Sequence, residues 1–136
     1  MLPPGAILRV ARPTNMGQLE DVVAFYRDGL GFEVLSRFGG ADHHGFSGVM
    51  LGHCGAPYHL EFTAHPDHTV PRASTQDNLL VFYIPDAAAW RLAADRILAL
   101  GHNPTPSFNP YWGEHGVTFE DPDGYRVVLQ HGDWSK

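Results

Sequence analysis

The sequence predicts an α+β fold in which two paired βαβββ modules form a cupped mixed sheet, with helices on its outer face. Strand-like and helix-like patterns follow the order strand, helix, strand, strand, strand over residues 7–63 and again over residues 78–131. Residues 64–77 have no periodicity and contain two prolines, so we expect a linker there. A module of roughly 60 residues is marginal alone. We therefore expect one domain spanning residues 1–136.

An internal repeat supports this duplication. Residues 48–51, Gly-Val-Met-Leu, match residues 116–119, Gly-Val-Thr-Phe, and residues 60–62 match residues 127–129. The closing strands of the two modules are therefore predicted to be equivalent, with a concave face opposite the helices.

The first module opens with a strand at residues 7–12, which Pro13 ends. A helix begins near Gln18, and Thr14 or Asn15 is its candidate cap. Its apolar residues recur at helical spacing: Leu19, Val22, Val23, Tyr26 and Leu30. Three short strands follow, at residues 32–35, 49–51 and 58–63.

The second module opens with a strand at residues 79–84 and a helix that Asp86 caps and Gly101 ends. A proline-rich segment, residues 103–109, leads to two strands joined by residues 121–124, Asp-Pro-Asp-Gly. Proline presets φ in this turn and glycine accepts a positive φ, so the sequence predicts a tight hairpin.

The last strand, residues 125–130, separates an apolar face from a mixed one. Because side chains alternate along a strand, Arg126, Val128 and Gln130 share the mixed face, which requires a cavity or water. Two roles are open to Arg126. It can bind a substrate carboxylate or phosphate, or it can pair with a local Asp or Glu.

The composition narrows the class of protein. Apolar residues make up 43% and charged residues 18%, which is typical of a soluble globular protein. A net charge of −6 without a basic stripe argues against nucleic acid as a partner. No apolar run is long enough to span a membrane, and the start has no secretory pattern. The single cysteine suits a reducing environment, so we expect a cytoplasmic protein.

Three motifs carry a resemblance to a known family. They are residues 25–32 (Phe-Tyr-Arg-Asp-Gly-Leu-Gly-Phe), 82–86 (Phe-Tyr-Ile-Pro-Asp) and 119–125 (Phe-Glu-Asp-Pro-Asp-Gly-Tyr). In this order, on a duplicated pattern, they resemble the vicinal oxygen chelate superfamily. That superfamily includes glyoxalase I, extradiol dioxygenases, fosfomycin-resistance enzymes and bleomycin-resistance proteins. The resemblance implies paired modules around a cupped sheet and a homodimer.

In metal-using members of the superfamily, four strands each carry one His or Glu ligand. The resemblance places these positions at Arg9, Glu61, Leu79 (or its neighbour Asn78) and Val128. Of these four, Glu61 alone remains a ligand, because arginine keeps its charge and leucine and valine have no donor atom. One carboxylate does not make a divalent metal site. We therefore expect no metal ligands and no cofactor, with an atypically bound divalent metal as the alternative.

Arg9 and Glu61 are expected to pair where the metal would lie, as a structural pair or to orient an anionic or polar ligand. If the pair is dry, truncating one partner costs on the order of 3–5 kcal/mol. His59 leaves the strand on the same face as Glu61. It is either a general base or second metal ligand, or a polar wall residue. Trp112 either covers a ligand as an aromatic wall or packs in the core.

Two functions compete. The first is a binding module, similar to the bleomycin-resistance branch, that holds a small-molecule ligand in the cup without metal. Its ligand-binding residues would be Arg9, His59, Glu61, Trp112 and Arg126. The second is a lyase, isomerase or dioxygenase with Glu61 and His59 as catalytic residues, using an unexpected metal or none. Loss of three ligand positions favours the first, whereas the retained glutamate and nine histidines favour the second.

Overall fold

The computed structural model describes residues 1–134 and divides into two compact units, Met1–Val70 and a second unit that begins at Pro71. In the first unit, β1 is parallel to β4, and β3 lies antiparallel between β4 and β2, giving the order β1-β4-β3-β2. Helix α1 continues as a π-helical turn, and a 3₁₀ turn lies between β2 and β3. The elements are β1 (Leu8–Pro13), α1 (Leu19–Ala24), the π turn (Phe25–Gly29), β2 (Glu33–Phe38), the 3₁₀ turn (Ala41–His43), β3 (Ser47–Gly52) and β4 (Tyr58–Ala64).

The core of the first unit forms where α1 and the π turn pack against the sheet. The helical stripe predicted from the sequence is confirmed, since Val22, Val23 and Tyr26 are fully buried. The Tyr26 ring lies 4.9 Å from that of Phe62 on β4, measured between centroids. Burying an aromatic or aliphatic side chain stabilises the fold by about 1.5–3 kcal/mol, so this stripe fixes α1 against β4.

The predicted start of α1 near Gln18 is confirmed, but the predicted caps Thr14 and Asn15 are wrong, because the N-cap is Gln18 itself. The backbone N–H of Thr14 donates to the Thr63 carbonyl at 2.8 Å, so Thr14 extends the pairing of β1 with β4. Asn15 binds the backbone of Val70 instead, donating from Nδ2 at 2.9 Å and accepting at Oδ1 at 2.7 Å. Its side chain therefore holds the end of the first unit against the start of the helix.

The second unit has a sheet of order β5-β7-β6, in which β5 is parallel and β6 antiparallel to β7. Its elements are β5 (Leu79–Ile84), α2 (Ala87–Ala99), α3 (Tyr111–Glu114), β6 (Gly116–Glu120) and β7 (Arg126–His131). The α+β class is confirmed by the two sheets and their helices.

The second unit has three strands in its described part, where the repeat predicted four. At the missing position Thr105 makes one isolated bridge to Thr118, with its N–H 2.8 Å from the Thr118 carbonyl oxygen. Pro104 and Pro106 flank it, and neither has an N–H with which to extend a ladder. The prolines therefore reduce a strand to a single bridge.

The local signals of the second unit are confirmed. Asp86 caps α2, its Oδ2 accepting from the Ala89 N–H at 2.8 Å, and Gly101 follows the helix with φ of +90°. In the hairpin turn, Asp121 Oδ1 accepts from the N–H groups of Asp123 and Tyr125 at 2.9 and 3.0 Å. The turn therefore closes as predicted and sets the register of β6 on β7.

Candidate functional site

The sheet registers test the equivalence of the two halves. Met50 on β3 pairs with Glu61 on β4, and Thr118 on β6 pairs with Val128 on β7. These are the pairs expected if residues 48–51 match 116–119 and Glu61 matches Val128. The repeat read from the sequence is therefore confirmed at the level of strand register.

The parallel pairs give the remaining equivalence. Arg9 pairs with His59, which lies two residues before Glu61, and Leu79 pairs with Arg126, which lies two residues before Val128. Leu79, rather than Asn78, is therefore the counterpart of Arg9. The four positions at which the resemblance places metal ligands hold a guanidinium, a carboxylate and two hydrocarbons.

Arg9, His59 and Glu61 form a connected cluster on one face of the first sheet. The Nε of Arg9 donates to Nε2 of His59 at 2.9 Å, and its Nη1 lies 3.4 Å from Oε2 of Glu61. Because Nε2 of the imidazole accepts this bond, the ring proton belongs on Nδ1. The structure thus brings together three residues that the sequence predicts for the site, with Arg9 at their centre.

The Arg9–Glu61 pair is open to water, so the cost given for truncating a dry pair does not apply. The Glu61 side chain is 14% exposed, but that of Arg9 is 48% exposed. Water screens a pair of this kind, and exposed pairs contribute only about 0–1 kcal/mol to stability. The cluster is therefore an accessible group of polar atoms, and stability alone gives little reason for its presence.

The cluster does not fit a divalent metal. Within residues 1–134 there is no group of three or more His, Cys, Asp and Glu side chains that could hold an ion. Glu61 offers one carboxylate, and the His59 nitrogen nearest to Arg9 already accepts a hydrogen bond. A metal at this point would lie beside a guanidinium that remains charged at any ordinary pH.

Arg126 is bound by protein acceptors. Its Nε and Nη2 donate to Oε2 of Glu120 at 3.1 and 2.9 Å, and its Nη1 donates to the Pro106 carbonyl at 3.0 Å. Arg126 is buried, as are Val128 and Gln130 on the same face of β7. Of the two roles open to Arg126, pairing with a local acid is therefore the one observed.

Glu120, the partner of Arg126, is not among the site residues predicted from the sequence. A signal was present, because the two residues flank the 121–124 turn and pair directly across the β6–β7 ladder. Opposite charges on directly paired residues of an antiparallel ladder attract each other. The positions of the two residues on either side of the turn therefore predict the pair.

Trp112 lies in the short helix α3 and is half-buried, with the Tyr111 ring 4.9 Å away at an angle of 84°. Tyr111 is exposed. An edge-to-face pair of this kind is a rigid apolar surface. The role of Trp112 as an aromatic wall over a ligand stays a prediction.

The two halves of the chain match two described protein domains. Residues 8–63 match the YycE-like N-terminal domain, and residues 77–131 match the YycE-like C-terminal domain. The chain belongs to the YycE-like family. This YycE-like chain is 40% identical over 126 residues to the uncharacterized protein YycE of Bacillus subtilis (strain 168), covering 93% of the chain and 88% of YycE.

Solved structures share the fold of this YycE-like chain. A YycE protein of unknown function from Bacillus subtilis superposes with a TM-score of 0.85 at 40% identity, covering 97% of this chain and 93% of that one. Glyoxalase I of Leishmania major gives 0.66 at 18% identity, with 90% and 85% covered. The fosfomycin resistance protein FosX of Listeria monocytogenes gives 0.63 at 16%, with 92% and 89% covered. The vicinal oxygen chelate fold predicted from the motifs is confirmed.

No helix within residues 1–134 of this YycE-like chain is long and apolar enough to cross a bilayer.

Proposed function

We propose that this YycE-like chain binds a small molecule on the face of the first sheet that carries Arg9, His59 and Glu61, without the divalent metal typical of its superfamily. The observation that supports this most is the Arg9 contact with both His59 and Glu61, at 2.9 and 3.4 Å. A guanidinium takes the place of a ligand, and it engages the carboxylate that a metal would need. The counterparts in the second unit, Leu79 and Val128, add no donor atoms.

The cluster favours a polar ligand of low charge. Arg9 is held at Nε and Nη1, and half of its side chain remains exposed, so it can donate to an acceptor on the ligand at little further cost in side-chain entropy. Glu61 offsets the positive charge of Arg9, so a highly charged anion gains less here than at an isolated arginine. We therefore expect recognition by hydrogen bonds more than by net charge.

Elemental analysis of the full chain, purified without added metal, tests the metal-free part. We expect substoichiometric manganese, iron, nickel and zinc. Fosfomycin and bleomycin are suitable ligands for calorimetry, since similar structures are those of fosfomycin resistance proteins and of a glyoxalase/bleomycin resistance protein. One FosX variant was crystallised with Mn(II), so each titration is run with and without Mn²⁺. Stoichiometric metal, or binding that depends on Mn²⁺, would contradict the proposal.

Arg9→Ala is the matching variant. If either compound binds on the cluster, removing one charged donor should weaken it by about tenfold or more. Arg27→Ala is the control, because Arg27 is also an exposed arginine of the first unit and pairs with its neighbour Asp28 at 2.9 Å, away from the Arg9 cluster. Equal losses in the two variants would show that the cluster is not the site.

A second candidate is an enzyme of the lyase, isomerase or dioxygenase type that uses Glu61 as a base beside His59. The observation in its favour is that the Glu61 carboxylate is partly exposed, so a bound compound can reach it, and that His59 lies on the same strand. Glu61→Gln distinguishes the candidates. Retained binding with loss of turnover of the bound compound would favour the enzyme, whereas unchanged binding and no turnover in either form would favour the binding module.

We also propose that the chain forms a homodimer, as the superfamily resemblance implies, and that it functions in the cytoplasm. Light scattering after gel filtration tests the first, and fractionation of cells that express the full chain tests the second. A monomer at micromolar concentration, or recovery outside the cytoplasmic fraction, would contradict these expectations.

A further inference from the structure

A groove of about 390 Å³ lies beside the β6–β7 turn and is lined only by residues of the second unit. One wall is the segment of residues 72–76, and Phe108 also lines the groove. Glu120 and Gly124 line it at the hairpin. We call this feature the Arg72 groove. Its volume lies within the range of small-molecule sites.

The wall formed by residues 72–76 is fixed to the hairpin turn. The Ala73 N–H donates to the Asp123 carbonyl at 2.9 Å, and Nη1 of Arg72 donates to the Pro122 carbonyl at 2.9 Å. Gly124 has φ of +85°, and a Cβ built there would lie 2.9 Å from Nη2 of Arg72. The glycine therefore both closes the turn and leaves room for the guanidinium, so the groove is preformed.

Two charged side chains, Arg72 and Glu120, line the groove. Oε1 of Glu120 lies 3.5 Å from Nη2 of Arg72, while Oε2 accepts the two short bonds from Arg126. The Arg126 side chain is 4% exposed, but that of Arg72 is 66% exposed. One carboxylate thus lies between two guanidinium groups, and the exposed one, Arg72, presents its positive charge to solvent. This exposed guanidinium is a donor that an anionic group can reach.

The contact of Arg72 with Glu120 is long for a hydrogen bond, so this end of the guanidinium can turn to a ligand at small cost. Phe108 is 59% exposed and offers an apolar surface to the groove. Ser74 and Thr75 contribute hydroxyl groups along the first wall. The groove therefore combines one cationic donor, polar side chains and one aromatic face.

We propose that the Arg72 groove is a binding site for a small organic anion, a carboxylate or phosphate monoester, that carries an aromatic ring. Arg72 binds the anionic group through its exposed donors, and the ring packs against Phe108. This site is additional to the function proposed for the Arg9 cluster, and its test does not depend on that function.

Phenyl phosphate, titrated into the ¹⁵N-labelled full chain and followed by NMR, tests the proposal. We expect saturable shifts of the backbone amides of residues 72–76 and 108. Arg72→Ala should weaken binding by about tenfold or more, since a charge-assisted hydrogen bond is lost. Phe108→Ala should weaken it by about two- to tenfold, as expected for one aromatic contact.

The matched control is Arg91→Ala, in the same unit, where the guanidinium lies 5.3 Å from the centroid of its neighbour Trp90. It should leave the affinity for phenyl phosphate unchanged. Arg72→Ala also removes contacts that hold the wall, so Arg72→Lys provides a milder variant that keeps the charge and loses the forked geometry. Phe108→Ala removes the aromatic ring alone, and no side-chain hydrogen bond is lost with it.

Four results would overturn the proposal. The first is an equal loss of affinity in Arg72→Ala and Arg91→Ala. The second is a set of shifts spread over the surface without saturation at residues 72–76. The third is binding of inorganic phosphate as tight as that of phenyl phosphate, which would show an adventitious ion only. A wild-type affinity in both Arg72→Lys and Phe108→Ala would likewise refute it.

Discussion

Removing the Glu120 carboxylate should destabilise the fold far more than removing a similar carboxylate on the surface. Glu120 supplies two of the acceptor contacts of Arg126, at 3.1 and 2.9 Å, and the Arg126 side chain is 4% exposed. In Glu120→Ala the guanidinium keeps the Pro106 carbonyl at 3.0 Å, but loses its counter-charge. A buried charge left without its partner is the costly case of a broken salt bridge.

The expected loss is about 3 kcal/mol in the free energy of unfolding. The upper range for breaking a buried pair is about 3–5 kcal/mol, and the lower end applies because Glu120 itself is 34% exposed. Arg126→Met should cost less, about 1–2 kcal/mol, since the remaining carboxylate reaches solvent and lies 3.5 Å from Arg72. The asymmetry between the two single variants follows from their unequal burial.

Glu20→Ala is the matched control. Glu20 also accepts two bonds from one arginine, with Arg37 donating at 2.7 and 3.4 Å, but the two side chains are 67% and 45% exposed. A pair open to water contributes about 0–1 kcal/mol. The residue types are the same in the two pairs, so the difference isolates burial.

Urea unfolding of the full chain, analysed by linear extrapolation, measures these changes. Glu120→Ala should lower the midpoint by about 1–2 M, and Glu20→Ala should barely move it. The double variant Glu120→Ala/Arg126→Met should be more stable than Glu120→Ala alone, because the unpaired charge is gone. If Glu120→Ala and Glu20→Ala cost the same, the burial of Arg126 does not determine the energetics of the pair, and the reasoning fails.

Further substitutions test other features of the fold. Gly48→Ala should cost about 1–3 kcal/mol in urea unfolding, because its Cβ would contact the Phe38 ring, whereas Gly17→Ala, with nothing within 4 Å, should not destabilise by overpacking. Asp86→Ala should cost about 1 kcal/mol through loss of the α2 cap, and unchanged stability would refute that assignment. A hydrogen bond from arginine lowers the pKa of Glu20 below its ordinary value of 4.5. The small stabilisation from ionised Glu20 is therefore present above that pH and is lost as the pH falls. The free energies of unfolding of wild type and Glu20→Gln should converge in acid.

The sequence correctly predicts the structural features that residues close together in the chain determine. The Asp86 cap and the turn at residues 121–124 depend on side chains that bond backbone groups within four residues, and both are confirmed. Arg9 and Glu61 lie far apart in the chain, but the resemblance predicts that they pair, and the structure places them 3.4 Å apart.

The patterns in the sequence do not predict the contacts that irregular segments make. Asn15 has the residue type of a helix cap, but it binds Val70 at the far end of the first unit. Arg72 lies in a stretch without periodicity, and its contact with the Pro122 carbonyl depends on where that stretch crosses the hairpin. The spacing of residues does not predict where one segment crosses another, because such contacts depend on tertiary packing and not on local propensity.

The single bridge at Thr105 also bears on how this unit avoids aggregation. β6 is the outer strand of its sheet, and an open outer strand is a template on which another chain can assemble. Here a segment with prolines on both sides of the bridge lies along that strand, and the Pro106 carbonyl is held by Arg126. Proline has no backbone N–H to donate, so the segment with Pro104 and Pro106 is a poor template for a further strand. It therefore covers β6 at the Thr105 bridge without extending the sheet.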